Sequence, residues 1–401
     1  MFLAVLFFLI LGIVVGVVCG LLPGIHPNLV SVLLISFLVG FTSHIGPDQY
    51  YLYVAFIVAV SITNVIVNFI PTVFLSVPGS GIELGVLPGH RMLLRGEGPG
   101  AVRLGIIGAF GGVLFSLSLF PLIILTVPKI YALIEPNLHI ILSALVLFFI
   151  FKDREPMAAA SLFFLSGCLG LISEKLPINQ DLILFPLLTG LFGLSMLVLS
   201  IKKRIKIPPQ QNELFISNQT IVDGIVRGSF GGITTGVLPG IGASAAAMLF
   251  SSESVEEFLI TIGAIAGVNT LFSFLALWLI GKARSGAAAT LQYFTSSLTF
   301  SDCVFIIFVS LICLSLAVLL TDKISSLVAH LLNRVNYSLL SLVVLLFTLY
   351  MVLILTGVWG IALSLVSCII GIIPNLSRVR RIHLMGALLL PTILFYAGFT
   401  F

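Results

Sequence analysis

The chain has 401 residues, a net charge of +4 and a mean hydropathy of +1.24, with 59% hydrophobic and only 8% charged residues. Soluble domains are roughly 45–50% apolar and about 25% charged, so this chain has too few polar side chains to cover a soluble globule. These values exclude secreted, nucleic-acid-binding and intrinsically disordered proteins, and they indicate an integral protein of a lipid bilayer.

Apolar runs long enough to cross a membrane follow one another along most of the chain. The clearest are 105–127, 131–151, 157–173, 182–200, 303–321, 338–355, 357–374 and 383–400. Less regular runs are 2–20, 27–42, 51–70 and 257–281. Together with a glycine-rich segment near 224–250, they predict an all-α polytopic membrane protein of about 12–14 membrane segments.

Basic residues gather between successive spans and predict the sidedness of the chain. The clusters are Arg91/Arg95/Arg103, Lys152/Arg154, Lys202/Lys203/Arg204/Lys206, Lys323/Arg334 and Arg378/Arg380/Arg381. Because cytoplasmic loops carry an excess of Lys and Arg, we expect a multi-pass cell-membrane protein with these loops in the cytoplasm and the C-terminus outside. A polar tract predicts a cytoplasmic linker at 207–222 between one membrane repeat at 1–206 and a second at 223–401.

The two halves share motifs in the same order. Gly20–Ile25 (GLLPGI) recurs as Gly236–Ile241 (GVLPGI), and the preceding pair Gly12/Gly16 recurs as Gly228/Gly232. Asn64, Phe69 and Ser80-Gly81 recur with identical spacing as Asn269, Phe274 and Ser285-Gly286. The run 182–200 ends at Lys202, whereas its counterpart 383–400 begins beside Arg381. The halves are therefore predicted to be inverted-topology repeats with broken helices, an architecture of secondary transporters.

Each repeat contains a Pro-Gly pair that is predicted to break a membrane helix. The pairs are Pro23-Gly24 and Pro239-Gly240. Proline removes a backbone donor and glycine relaxes helical geometry, and the freed amides of a half-helix attract anions. A single break is as readily a packing kink. Two breaks at matching repeat positions favour a binding site.

Amide and hydroxyl side chains lie near these breaks. Asn64 and Asn68 are four residues apart and share one helix face, and the corresponding face carries Asn269 and Ser273. Buried amides are costly unless paired or hydrated. They therefore form either interhelical hydrogen bonds or contacts to a ligand or cation, and their repetition favours the second interpretation.

A third feature is the broken segment 77–92, which predicts a re-entrant hairpin open to the cytoplasm, followed by a cytoplasmic loop at 91–100. Glu83 within it is either a rim charge or a carrier of a coupling proton. The counterpart Gly281–Gly286 is predicted to open outside, where Lys282 and Arg284 either attract an anion or lie among lipid headgroups.

These motifs define the predicted substrate site. No catalytic, metal or cofactor residues are predicted, and the coupling ion is either H+ or Na+. The predicted binding residues are Pro23, Gly24, Ile25, Asn28, Asn64, Asn68, Ser80, Gly81, Pro239, Gly240, Ile241, Ser244, Asn269, Ser273 and Ser285. The five cysteines are interpreted as buried hydrophobes, and His383 beside Arg380 and Arg381 as a solvated neighbour.

At these motifs the chain resembles the TctA family, the large permease subunit of tripartite tricarboxylate transporters. The matching text is GLLPGI at 20–25, SVPGSGIELGVLPGHRMLLRGEGPGAVRLGIIGAFGG at 76–112 and GVLPGIGASAAAMLF at 236–250. The resemblance implies an ion-driven carboxylate permease that works with a small membrane subunit and an extracytoplasmic binding protein. The chain is a short, divergent member: His26-Pro27-Asn28 stands where the family has a Gly-Pro-Thr-like run.

The favoured function is a secondary transporter that moves a small organic anion, a carboxylate, by ion-coupled alternating access. Three rivals remain at this stage. A translocase for a polyprenyl-phosphate lipid carrier would use the same anion-binding breaks. A non-transporting membrane subunit would need no site, and an intramembrane enzyme would need an acid/base or metal constellation that the motifs do not supply.

Overall fold

A computed structural model describes residues 1–22, 47–76, 83–203, 207–211, 216–238, 243–250, 254–292, 295, 298–332, 337–377 and 379–399. Every regular element in these ranges is helical, as the hydropathy pattern predicts. The first half contains α1 (Phe2–Leu21), α2 (Pro47–Val67), α3 (Phe69–Phe74), α4 (Val86–Leu94), α5 (Gly98–Ser118), α6 (Phe120–Ile134), α7 (Leu138–Phe151), α8 (Pro156–Ser173), α9 (Leu184–Leu188), a π-helical turn (Thr189–Leu194) and α10 (Ser195–Lys203).

The second half repeats this alternation of long and short helices. It contains α11 (Asn218–Val237), α12 (Ala243–Phe250), α13 (Val255–Leu279), α14 (Gly286–Leu291), α15 (Phe300–Leu332), α16 (Tyr337–Ser377) and α17 (Gly386–Tyr396). Short 3-10 turns cover Glu83–Gly85, Glu135–Asn137, Gln180–Leu182 and Arg381–Met385. Gly357 has φ 67° and interrupts α16, which matches the predicted division into spans 338–355 and 357–374.

The described part of the chain contains eight helices that are long and apolar enough to span a membrane, and two shorter apolar helices at Leu184–Leu199 and Arg381–Tyr396. The chain is therefore a multi-pass membrane protein. The predicted span 27–42 lies outside the described residues.

Several predicted boundaries are wrong. The expected span 105–127 is divided at Leu119, because Pro121 in the first turn of α6 marks a helix start, and α6, a 3-10 turn and α7 then continue to Phe151. The expected loop 91–100 shrinks to residues 95–97. The expected linker 207–222 ends at Ser217, whose hydroxyl caps α11 by accepting a hydrogen bond from the Thr220 N–H at 3.1 Å.

Glycines bring pairs of helices into backbone contact at the same register in both halves. In the first half, glycines of α1 lie against α2 and pair Gly12 with Ala59, Gly16 with Thr63 and Gly20 with Val67. In the second half, glycines of α11 lie against α13 and pair Gly228 with Ala264, Gly232 with Val268 and Gly236 with Phe272. In both pairs the residue numbers rise together, so the partner helices are parallel. The repeated glycine motif thus makes the same helix contact twice.

A third glycine contact joins the two halves. Residues of α5 lie against α13 and form the pairs Gly105/Gly263, Ala109/Gly267, Gly108/Ile260 and Gly112/Ala264. A step of four residues along α5, from Gly105 to Ala109 or from Gly108 to Gly112, moves the contact four residues further along α13, so the two helices are parallel. By contrast, Phe69 and Phe74 of α3 contact Gly105 and Gly98 of α5 in descending order, and hydrogen bonds through Asn68 join α3 to α2. The short helix α3 is therefore antiparallel to α5.

Ion pairs also connect the halves. Arg95 pairs with Glu256 at 3.6 Å and Arg103 with Asp322 at 2.6 Å. Lys282 pairs with Glu135. A buried hydrogen bond of 2.9 Å between Asp153 and His383 also joins the halves. Among the described residues, only the Arg227–Glu257 pair lies within one half. Charged side chains thus hold the halves together outside the apolar helix contacts.

Residues Gln210 and Gln211 of the linker are hydrogen-bonded to the first half near Leu93 and Gly98. The Gln210 Oε1 accepts a hydrogen bond from the Gly98 N–H at 2.9 Å and so caps α5, while its Nε2 donates to the Leu93 carbonyl at 3.1 Å. The Gln211 N–H donates to the Gly96 carbonyl at 2.7 Å. The connection between the halves is therefore an ordered contact at residues 207–211.

We expect Gly108→Leu to destabilise the protein, because a Cβ at this position overlaps the Ile260 carbonyl oxygen. Overpacking of a helix contact costs about 1–3 kcal/mol, which lowers the midpoint of thermal unfolding in detergent. Ile107→Leu is the matched control, since Ile107 is 39% exposed on the same helix. Equal midpoints for the two variants would show that α5 and α13 are not in backbone contact.

Candidate functional site

The helices α1 and α11 end where the predicted Pro-Gly breaks begin. Leu22 and Leu238 have extended backbones (φ −91°, ψ 114° and φ −89°, ψ 129°) after the last helical residues. Each precedes a proline, and a residue before proline is driven out of the helical region by its ring. The helix ends are therefore at equivalent positions in the two halves. The break residues Pro23, Gly24, Ile25, Pro239, Gly240 and Ile241 lie outside the described residues, as do Asn28, Ser80 and Gly81.

Each helix end lies beside one of the predicted asparagines. Gly20, in the last turn of α1, approaches the Asn64 carbonyl, and Gly236, in the last turn of α11, approaches the Asn269 carbonyl. The glycine contacts that align the helices therefore also set the distance between each helix end and the backbone of its asparagine.

Asn64 and Ser273 are the most buried of the predicted polar site residues that the structure describes. Asn64 is 3% exposed, and its Nδ2 has no hydrogen-bond partner among the described residues. A buried donor without an acceptor costs roughly 1–3 kcal/mol, so the position favours an acceptor supplied by a ligand. Asn68 is half-buried between α2 and α3, where its carbonyl accepts a hydrogen bond from the Thr72 hydroxyl at 2.7 Å.

The second half brings Ser273 and Ser285 together. The Ser273 hydroxyl donates to the Thr270 carbonyl at 2.8 Å, and the two serine hydroxyls are 3.1 Å apart. The Ser285 oxygen also accepts the Ala288 N–H at 3.1 Å. Because the Ser273 hydroxyl already donates its proton to the Thr270 carbonyl, the Ser285 hydroxyl must donate to the Ser273 oxygen. Both hydroxyl protons are thus used within the protein. Asn269 is partly exposed, and the side chain of Ser244, in α12, lies outside the described residues.

The helices α2–α3 and α13 end with the same backbone device. Ser76 and Gly281 have left-handed backbones (φ 55° and 69°) and follow Asn64 and Asn269 at equal spacing. The preceding residues close each helix through the bonds Leu75 N–H to Pro71 O and Ile280 N–H to Ala276 O. A left-handed serine is strained, and the Ser76 hydroxyl is bonded to the Nδ1 of His90 at 3.0 Å. Burial lowers the pKa of His90 to about 4, so its ring is neutral at pH 7.

The loop after Gly281 carries the basic residues that the sequence assigned either to an anion or to headgroups. Lys282 forms an ion pair with Glu135, and this hydrogen bond raises the pKa of Lys282. The Arg284 guanidinium lies 5.1 Å from the centre of the Tyr131 ring, a cation–π contact. A cavity of about 230 Å³ begins beside this loop, lined by Leu277, Trp278, Gly281, Leu291, Gln292, Thr295 and Leu298.

A buried charged cluster lies elsewhere, and the interpretation of His383 as a solvated neighbour is wrong. His383 is 2% exposed and its Nε2 is 2.9 Å from the Asp153 Oδ2. Burial acts to raise the pKa of Asp153, but hydrogen bonds from the Arg380 N–H, His383 and the Glu155 N–H outweigh it and hold the pKa below its ordinary value. The pairing joins residues 230 positions apart, which no local signal reveals.

The same cluster contains Arg381, which is 8% exposed. Its Nη2 donates to the Ser195 hydroxyl at 2.8 Å and to the Gly371 carbonyl at 3.3 Å. Ser195 follows the π-helical turn, where Gly190 lies against Ser364 and Ser367 of α16. Ser364 and Ser367, two polar residues in the otherwise apolar end of α16, thus lie where α16 contacts the first half of the chain.

We expect Asp153→Asn to lower the midpoint of thermal unfolding, because the buried carboxylate accepts hydrogen bonds from the Arg380 N–H and His383 and a hydrogen bond to a charged group is worth about 1.5–3 kcal/mol. The folded pKa of Asp153 lies below its ordinary value of 3.8, so its contribution is complete at neutral pH and is lost as the pH falls below that value. The wild type should therefore approach the variant in acid. The exposed neighbour Glu155→Gln is the control, and equal midpoints for both variants at pH 7 contradict the structural role of Asp153.

Comparison with known proteins adds the family. The chain matches the model of the tripartite tricarboxylate transporter TctA family over residues 6–386. It is 30% identical over 378 residues to an uncharacterised protein of Methanocaldococcus jannaschii, an alignment that covers 91% of this chain and 93% of that protein. No solved structure matches the chain.

Proposed function

The chain belongs to the tripartite tricarboxylate transporter TctA family, and on that premise we propose that it moves a small organic anion, a carboxylate, by ion-coupled alternating access. Membership implies a membrane transporter rather than an enzyme. One observation carries the finer proposal: two helices end at matching positions, each beside an asparagine of its neighbouring helix. Matched helix breaks are the usual place of the substrate in secondary transporters.

The two halves act as inverted repeats in this proposal. Support comes from the contact directions: the short helix α3 runs antiparallel to α5, whereas α13 runs parallel to it. Two further observations support the repeat: the glycines of α1 and α11 contact their partner helices at equivalent positions, and the left-handed residues Ser76 and Gly281 are also equivalent. Rocking of one repeat-derived unit against the other would then open the site to each side in turn.

The substrate carboxylate is proposed to accept hydrogen bonds from amides after Gly24 and Gly240 and from the Asn64 side chain. The support is physical. A half-helix N-terminus carries unpaired N–H groups and a positive dipole end, and the buried Asn64 Nδ2 has no partner among the described residues. Asn68 and Asn269 are proposed to help hold the substrate or a coupling cation.

The remaining parts of the proposal concern coupling, partners and sidedness. H+ or Na+ drives the transport, and a small membrane subunit and an extracytoplasmic binding protein work with the chain, as in the tripartite systems of its family. The basic loops and the linker lie in the cytoplasm and the C-terminus outside, in accord with the placement of Lys and Arg.

Uptake into proteoliposomes tests this function. The purified chain is reconstituted and supplied with labelled acetate, succinate or citrate under an inward proton gradient, a sodium gradient or none, with protein-free liposomes as the control. We expect saturable accumulation of at least one carboxylate under one of the gradients. No accumulation of any of the three, with the small subunit added or omitted, contradicts the carboxylate proposal and favours the lipid-phosphate translocase.

We expect Asn64→Leu to reduce this uptake at least tenfold, because a hydrogen bond to a charged ligand is worth about 1.5–3 kcal/mol. The matched control is Ser61→Ala one turn earlier on α2, since the Ser61 hydroxyl donates within its own helix to the Ile57 carbonyl at 2.9 Å. Wild-type uptake by the Asn64 variant would remove Asn64 from the site.

A further inference from the structure

We propose that Arg284 binds a carboxylate group of the substrate, an inference that rests on the proposed function and assigns a specific residue to it. The position follows the left-handed Gly281 and directly precedes Ser285, at the start of the short helix α14. It is therefore placed in the second-half hairpin, the segment that corresponds to the first-half hairpin after Ser76.

The guanidinium has donors available. Nε and Nη2 of Arg284 are buried and have no hydrogen-bond partner among the described residues. An arginine carries five N–H donors in a planar fork that matches the two oxygens of a carboxylate. Burial of such donors without acceptors is costly, so the local chemistry favours an anionic ligand with paired oxygens.

Among the described residues, the acidic group that acts on Arg284 is shared with Lys282. Glu135 is close enough to act on Arg284 through space, but its carboxylate is hydrogen-bonded to Lys282. Two cations and one carboxylate therefore leave one positive charge in the cluster. Tyr131 lies against Arg284 and holds the guanidinium by a cation–π contact at 5.1 Å without neutralising it.

The hydroxyls beside Arg284 do not compete for the role. The protons of Ser273 and Ser285 are both used in the hydrogen-bond chain to the Thr270 carbonyl. The cavity of about 230 Å³ that Gly281 lines lies beside this loop, and Arg284 is not among its lining residues. Arg284 thus carries the charged donor group of this region.

Comparison of the two hairpins strengthens the assignment. Under the repeat correspondence, Lys282 and Arg284 occupy the positions of Val77 and Gly79. The left-handed turn at Ser76 is thus followed in the sequence by uncharged residues at these two positions, so a turn of this kind does not itself need Arg284. A residue that the turn does not require, and that is costly to bury, indicates binding.

Binding of citrate to the purified full-length chain in detergent tests the proposal without transport. The dissociation constant is measured for wild type, Arg284→Gln and Arg284→Lys, and the KM of gradient-driven uptake is measured in parallel. We expect Arg284→Gln to weaken citrate binding and raise KM at least tenfold, with a smaller loss for Arg284→Lys, which keeps the charge but not the fork. Thermal unfolding of each variant shows that it is folded. If Arg284→Gln does not fold, Arg284→Lys decides.

The ion pair beside Arg284 supplies the matched controls. The double variant Lys282→Gln/Glu135→Gln removes both charges of the pair, leaves the charge of Arg284 in place and should bind citrate within twofold of wild type. Lys282→Gln alone frees Glu135 to neutralise Arg284 and should weaken binding. The same binding measurement with acetate, which has one carboxylate, and with trimethyl citrate, which has none, shows whether the affinity lost in Arg284→Gln depends on the charge of the ligand.

The outcomes separate the two proposals. Wild-type protein that neither binds nor accumulates acetate, succinate or citrate overturns the proposed function and with it the role of Arg284. Wild-type protein that binds or transports citrate, with both Arg284 variants keeping the wild-type dissociation constant and KM, overturns only the role of Arg284. The same holds if the double variant loses as much citrate affinity as Arg284→Gln.

Discussion

The backbone contact of α5 with α13 is the interaction on which the arrangement depends. Lipid tails are as apolar as leucine side chains, so membrane helices associate through close packing rather than through hydrophobic exclusion. Glycines in both helices allow this approach, and Ile260 and Ala264 of α13 also contact glycines of α11. Because α13 contacts both α5 and α11, Asn269 and the end of α11 keep a fixed relation to the first half.

The parts of the fold with local signals were predictable from the sequence. A proline fixes the conformation of the residue before it, so the ends of α1 and α11 follow from Pro23 and Pro239 alone. The recurrence of Gly12/Gly16 as Gly228/Gly232 predicted an internal repeat, and the structure adds that these glycines lie against α2 and α13. Boundaries near Leu119 and Ser217 were missed because a single proline start and a single serine cap are weak beside long apolar runs.

Contacts between distant segments were not predictable in this way. Asp153 lies between Lys152 and Arg154, and His383 follows two arginines, so both appear in sequence as members of solvated clusters. Only the fold shows that they pair out of water. Similarly, spacing predicted Ser273 and Ser285 as ligand groups, and their proximity is real. Their hydrogen-bond direction, which engages both protons internally, depends on the Thr270 carbonyl and the Ala288 amide.

The two halves differ in charge where their equivalent turns begin. Both turns begin at a left-handed residue, but in the first half Ser76 is bonded to neutral His90, whereas Arg284 follows the turn of the second half. Under the proposed function, two equal cationic ends would hold an anion in both halves and oppose its release. A single fixed charge would bind one carboxylate of the substrate, and Asn64 and the helix ends would bind another through donors without a full charge, whose hydrogen bonds break at lower cost.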